Sequence, residues 1–373
     1  MGYETSNSAF ERSPIEIITQ IFKVLEDPND IHSLLLTSKT LYNVYSCNKH
    51  HIARSHIFRL LDPDDYKLAV MAIESRKVDP LDQNSLTEFF NNYVHHDEWD
   101  IELFRMGTVH HLPELITAAS RLEHYGTNFR AGDSVIHDSP TEKARKFRAY
   151  YMHEIGTNLF HRFPDPNRPP LIEAPYNEWV VKFWANFSPA EIVQVELIKY
   201  WIRWNLFDVF ERPDNHELVI SCFGEHSILT TVPRRYLGQF HRFAEVAGIQ
   251  KLYKWHISTE SEPDSLRYEW LRFKDELKER DGEETNDSFE AVPWELYREA
   301  INRGGSRFQA DPESSSDIFW NYTWDQWGDY RIGDVDGYDV WPMLYLFRHF
   351  RDKATIERLR RIKEGRPWWA AYG

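Results

Sequence analysis

Apolar residues recur along this chain at the spacing of a helix rather than that of a strand. Ile18, Ile21, Phe22 and Leu25 stand at i, i+3, i+4 and i+7, so "SPIEIITQIFKVLED" predicts an amphipathic helix. Asp27 and Pro28 stop it and open a second, in which Ile31, Leu34, Leu35 and Ser38 repeat the spacing. "TSKTLYNVY" predicts a third short helix, with Leu41, Tyr42 and Tyr45 turned inward. Helices this short cannot bury such faces on their own, so a further surface, of this chain or of a partner, has to pack on them.

Further along, "SLTEFFNNYV" puts Leu86, Phe89, Phe90 and Tyr93 on one helical face, and "EIVQVELIKYWIRWNLFDVF" has Ile192, Val195, Ile202 and Phe210 among its apolar positions. Helix starts carry their own signal. Ser-Pro-x-Glu occurs at 13, 139 and 188, where Ser is predicted to cap, Pro to take the first helical position and Glu to close a capping box. Ser85 and Glu88 predict a fourth box without the proline. The one strand candidate, "ELVISCF" at 217–223, reads equally well as a buried helical segment. No repeat of solenoid or propeller length recurs. The expected fold is mainly α: an N-terminal three-helix module at 10–60, then a larger, irregular helical and aromatic-rich region over 61–373. Pro164, Pro166, Pro169, Pro170 and Pro175 predict an extended connector at 163–175.

The order Pro14-x-Glu16-Ile17, Ile21, Leu25, Asp30-Ile31, Leu34, Thr37-Ser38-Lys39, Tyr42 and Val44 resembles an F-box, in the form common in filamentous fungi. Ser13 stands where that family usually has Leu before the proline. The resemblance implies that the apolar faces dock on the Skp-type adaptor of a cullin-RING ubiquitin ligase, through Pro14, Ile15, Ile18, Ile21, Leu25, Ile31 and Leu34. It further implies a protein that does no bond chemistry, needs no cofactor or metal, and brings an unassigned target protein to the ligase.

Composition changes this picture only at its edges. With 59 acidic against 44 basic residues, the formal net charge of -15 disfavours a bare phosphate backbone at long range unless a local basic patch overrides it. The same charge favours cationic partner surfaces. Only Cys47 and Cys222 are present, which excludes a disulfide framework and leads us to expect a cytoplasmic or nuclear protein. No stretch has the apolar length of a membrane span, and the opening "MGYETSNSAF" reads as no secretory signal, though Gly2 and Ser6 fit the loose myristoylation pattern.

The densest chemistry lies in "YVHHDEWDIELF", with "VHHLPE" close behind it. On a helix, His96 would share a face with Asp100, and Glu98 with Glu102. Neither an HExxH nor a closed Cys/His spacing appears, so no metal site is expected. Asp97, Glu98, Asp100 and Glu102 around Trp99 instead define an enzyme alternative, a carboxylate and aromatic pocket for a guanidinium or ammonium group. An arginine-containing cyclodipeptide synthase using aminoacyl-tRNA is one enzyme of that kind, and tRNA is the one nucleic acid expected, in this alternative alone. Trp320, Trp324, Trp327 and Trp341 read as core, "GDVDGYDVW" as a turn, and the Arg- and Lys-rich C-terminal run as a helix lying on an acidic face.

Overall fold

Four short polar motifs decide where helices begin, and the protein uses them in different ways. The computed structural model describes residues 12–61, 65–95, 98–127, 138–161, 176–211, 237–258, 267–275 and 294–304. Every regular element among them is helical. The helices are α1 (Ile15–Val24), α2 (Pro28–Leu35), α3 (Lys39–Leu60), α4 (Tyr66–Glu74), α5 (Gln83–Phe89), α6 (Met106–Thr127), α7 (Pro140–Phe160), α8 (Asn177–Trp184) and α9 (Pro189–Glu211). After them come α10 (Leu237–Ser258), α11 (267–275) and α12 (Trp294–Gly304).

At α7 the sequence motif works as written: Ser139 Oγ accepts from the Glu142 amide and Glu142 reaches back to the Ser139 amide, with Pro140 opening the helix. Ser188 and Glu191 do the same for α9. At α1 Pro14 is itself the cap residue and carries no side-chain cap bond, so the helix starts one residue later than predicted. The predicted box at Ser85 is displaced. Asp82, in extended backbone, accepts from Asn84 and starts α5 at Gln83, leaving Ser85 inside the helix, where its hydroxyl accepts from the Asp79 amide.

The third helix is the largest correction. Instead of a short segment it runs for 22 residues, capped by Ser38, because "CNKHHIARSHIFRL" continues without Gly or Pro and supplies inward residues to the very end. Leu41, Val44 and Ile52 close a small cluster with Ile18, Phe22 and Ile31, while Ala53 and Ile57 belong to the main core. One uninterrupted helix therefore serves both. Tyr42, expected inward, is exposed.

In the main core α7 is central, packed by α4, α6, α9 and α10. It is buried on nearly all sides although it carries Glu142, Arg145, Lys146, His153, Glu154 and Thr157 among its buried residues. Such a helix is tolerated only if those groups find partners. Lys146 faces Asp138 and Glu123, Asn158 donates to Ala72 O and Ser75 Oγ, and Arg148 meets Glu191 at 2.5 Å. Glu154 accepts the Ile249 amide at 2.8 Å, just past Gly248, where φ is 70° and α10 breaks in two. Burial pushes the Glu154 carboxyl upward in pKa, against the opposing pull of Arg76 and the Ile249 and Gln250 amides. The predicted faces on α5 and α9 are inward: Leu86, Phe89, Phe90, Tyr93, Ile192, Val195 and Ile202 are all buried.

Several expectations lie outside the described residues: the connector at 163–175, "ELVISCF", Cys222, the side chain of Phe210, the four C-terminal tryptophans, "GDVDGYDVW", the basic C-terminal run and Gly2 with Ser6. Among the described residues no helix is long and apolar enough to cross a membrane.

Candidate functional site

Helix α1 carries two apolar stripes, and they have different fates. Ile18 and Phe22 are buried and Leu25 half-buried, so this stripe fills the small cluster with Ile31, Leu41 and Val44. A second stripe beside it, Pro14, Ile17, Ile21 and Val24 at i, i+3, i+7 and i+10, lies further out: Pro14 is exposed, Ile17 is 51% and Val24 64% exposed, and Ile21 is half-buried. Ile15 at 58%, Leu36 at 76% and Tyr42 at 55% are exposed near it in the chain.

The polar groups of α3 hold α1 in this orientation. His56 Nε2 lies 2.9 Å from Phe22 O, and Arg59 donates to Lys23 O at 3.2 Å and to Leu25 O at 2.6 Å. These carbonyls belong to the last turn of α1 and its C-cap, Leu25, and lack intrahelical donors, so side chains of a neighbouring helix complete them. Arg59 also lies 2.7 Å from His56 Nδ1. A guanidinium can only donate, so Nδ1 accepts, and the proton sits on Nε2 facing Phe22 O. Burial lowers the His56 pKa, and the charges of Arg59 and His110 lower it further, against the carbonyl of Phe22. Phe22 meets Tyr45 edge-on at 5.7 Å, which closes the inner side.

Of the residues that the F-box resemblance assigns to a partner, Pro14 and Ile15 are exposed, Ile21, Leu25 and Leu34 are half-buried, and Ile18 and Ile31 lie inside the module's own cluster. The sequence reading counts Ile17 and Tyr42 in the F-box pattern but not among the partner-binding residues, and it passes over Val24 and Leu36. The signal for Ile17 and Val24 was available: counting i, i+3, i+7 and i+10 from Pro14 gives Ile17, Ile21 and Val24, a second apolar stripe beside the one that was read.

The acidic cluster is arranged otherwise. His96 and Asp97 lie outside the described residues, and Glu98, Asp100 and Glu102 are exposed. Glu98 and Glu102 do not share a helical face, because the chain leaves α5 through a π turn at Phe90–Val94, is extended at Asp100 with ψ 141°, and resumes only as a single 3-10 turn at Ile101–Leu103. Trp99 points the other way. Its ring packs edge-on against Tyr66 and Tyr93 at 5.8 and 5.3 Å, its Nε1 donates to Tyr93 O, and Lys67 lies over it at 5.9 Å. The described carboxylates therefore face water while the aromatic faces the core. Nearby, His110 and His111 are exposed on α6, and Glu114 pairs with Lys254. Among the described residues no three His, Cys, Asp or Glu side chains group as metal ligands.

Beneath this surface a buried carboxylate, Glu74, joins α4 to α6. Lys77 Nζ is 2.7 Å from both its oxygens, Thr108 donates to it at 2.5 Å, and Arg105 approaches at 3.5 Å. The arrangement is that of a satisfied internal ion pair and positions α6 on the core. Comparison of the chain with models of protein families, with curated proteins and with solved structures found no match.

Proposed function

We propose that the protein is a docking protein of the F-box kind, in which α1 to α3 seat the Skp-type adaptor of a cullin-RING ubiquitin ligase and the helical body carries an unassigned target. The observation that supports this reading best is the outer stripe Pro14, Ile17, Ile21 and Val24, set on a helix whose neighbouring stripe already has a core of its own. A helix needs one apolar stripe to fold; a second, held outward by His56 and Arg59, has its use in a contact with another molecule. Catalysis on this reading belongs to the ligase, and the gain comes from raised effective concentration of the target.

The test compares two variants with the native protein in adaptor co-purification and thermal melting. Ile17→Asp with Val24→Asp should abolish capture and leave the melting transition nearly in place, since both side chains are exposed in the free protein. Ile18→Asp should instead unfold the module. An unmodified protein that captures no adaptor, or a stripe variant that captures it as well as the native chain, ends the proposal.

A further inference from the structure

One contact behind α1 depends on a bare nitrogen. Arg59 Nη2 donates to Leu25 O at 2.6 Å and to His56 Nδ1 at 2.7 Å, while Nη1 reaches Lys23 O at 3.2 Å. The imidazole accepts from the guanidinium only while Nδ1 carries no proton. A proton there would set two donors against each other across 2.7 Å and put two cations side by side. The two partners are unequally free to move. His56 is 1% exposed and tied to Phe22 O through Nε2, whereas Arg59 is exposed and can turn into water. The guanidinium therefore yields, and the carbonyls of Lys23 and Leu25 lose their donor with it. Nothing close by would neutralise the added charge. The groups acting on His56 are Arg59 from its own helix, Phe22 O from α1 and His110 from α6, and neither His56 nor Arg59 has a carboxylate partner among the described residues.

We propose that a proton taken up at His56 Nδ1 ejects Arg59 from the tail of α1, loosens the turn that carries Ile21 and Val24, and so weakens the hold of the outer stripe on its partner. The docking site then has an acid-operated release built into the helix behind it. The inference rests on the docking reading for what is let go, not for the release itself. Burial and the charges of Arg59 and His110 resist the proton, so the contact is closed at neutral pH and opens only below the ordinary imidazole value of 6.5. The change stays local. Ile18 and Phe22 keep their places in the cluster with Ile31, Leu41 and Val44, so the module remains folded while one end of the stripe loses its bearing. By linkage, a partner that needs the closed turn must make His56 harder still to protonate.

The test uses the full chain, purified Skp-type adaptor and two readouts at about pH 8 and about pH 5. One is affinity; the other is hydrogen exchange over residues 21–25, corrected for the intrinsic pH dependence of exchange. The native chain should bind the adaptor about tenfold more weakly at the lower pH and lose protection over that turn. His56→Gln, which keeps a donor for Phe22 O but cannot take up the proton, should show no change in either readout between the two pH values. Other titrating groups are common to both proteins, so an equal fall in both, or no fall in the native chain, overturns the inference and leaves the docking reading standing. Should His56→Gln fail to fold, Arg59→Ala, at an exposed position, takes its place. At the upper pH its last turn of α1 should exchange as fast as that of the native chain at the lower, and native-like protection there overturns the inference. If the adaptor is bound at neither pH, the docking reading falls and exchange alone decides. Loss of protection on acidification in the native chain and not in His56→Gln supports the release; equal protection at both pH values ends it.

Discussion

Gly248 shows how much a single residue can decide. Its φ of 70° with ψ 162° is a conformation open in practice to glycine alone, and a Cβ there would lie 2.7 Å from Glu154 Oε2. We expect Gly248→Ala to cost about 1–3 kcal/mol, read from the denaturant midpoint; an unchanged midpoint would show that α10 straightens without loss. His56 carries a pH dependence. Its pKa in the folded protein is below the ordinary value of 6.5, so as pH falls the unfolded chain takes up a proton that the folded one resists. The stability from this site is therefore complete above 6.5 and is lost as pH drops from there through the folded pKa. His56→Gln, which keeps a donor for Phe22 O but does not titrate, should flatten melting temperature against pH over that window; an equally steep profile would refute the assignment. Neither residue announced its role in the sequence. Gly248 reads as a mild flaw in a helix and His56 as one of three histidines in seven residues, because what makes each matter is a partner 94 and 34 positions away in the chain, Glu154 and Phe22.

Among the helices, local signals were legible where the chain supplies its own answer. Ser139 with Glu142 and Ser188 with Glu191 cap as the sequence predicts, since every group involved lies within four residues. At α5 two local solutions competed, and Asp82 prevailed over Ser85 by starting the helix three residues sooner. Asp82→Ala and Ser139→Ala should each cost ~1 kcal/mol, and equilibrium unfolding of each variant measures it. A Ser85→Ala change more costly than Asp82→Ala would mean that the cap has been misplaced. The length of α3 was harder to read, because its first half repeats the apolar spacing of a short module helix while its second half faces a different core. The acids of "HHDEWD" misled for the converse reason: their helical pairing assumed that α5 continued, and the π turn at Phe90–Val94 with extended backbone at Asp100 ends it. Charge-rich spacing on paper does not survive a break in the helix that would carry it.

For the molecule as a whole, α3 makes the small cluster and the main core mechanically dependent on each other. Residues 12–61 contain no Trp, so tryptophan fluorescence reports on the body alone. Ile52→Ala, a truncation in the small cluster, removes a fully buried side chain and should cost about 2–5 kcal/mol. If the two clusters unfold together, the fluorescence midpoint should fall with the circular dichroism midpoint; a fluorescence midpoint that stays put would mark them as independent. That dependence has a geometric side. At 1.5 Å per residue α3 is a strut of about 33 Å with no Gly or Pro at which to bend, clamped by side chains at both ends. Whatever grips the α1 end acquires a fixed bearing on everything attached to the body. A second molecule carried there is presented from one direction and at one reach, and which of its atoms come within range is settled by the length and angle of a single helix, however tightly either partner is held.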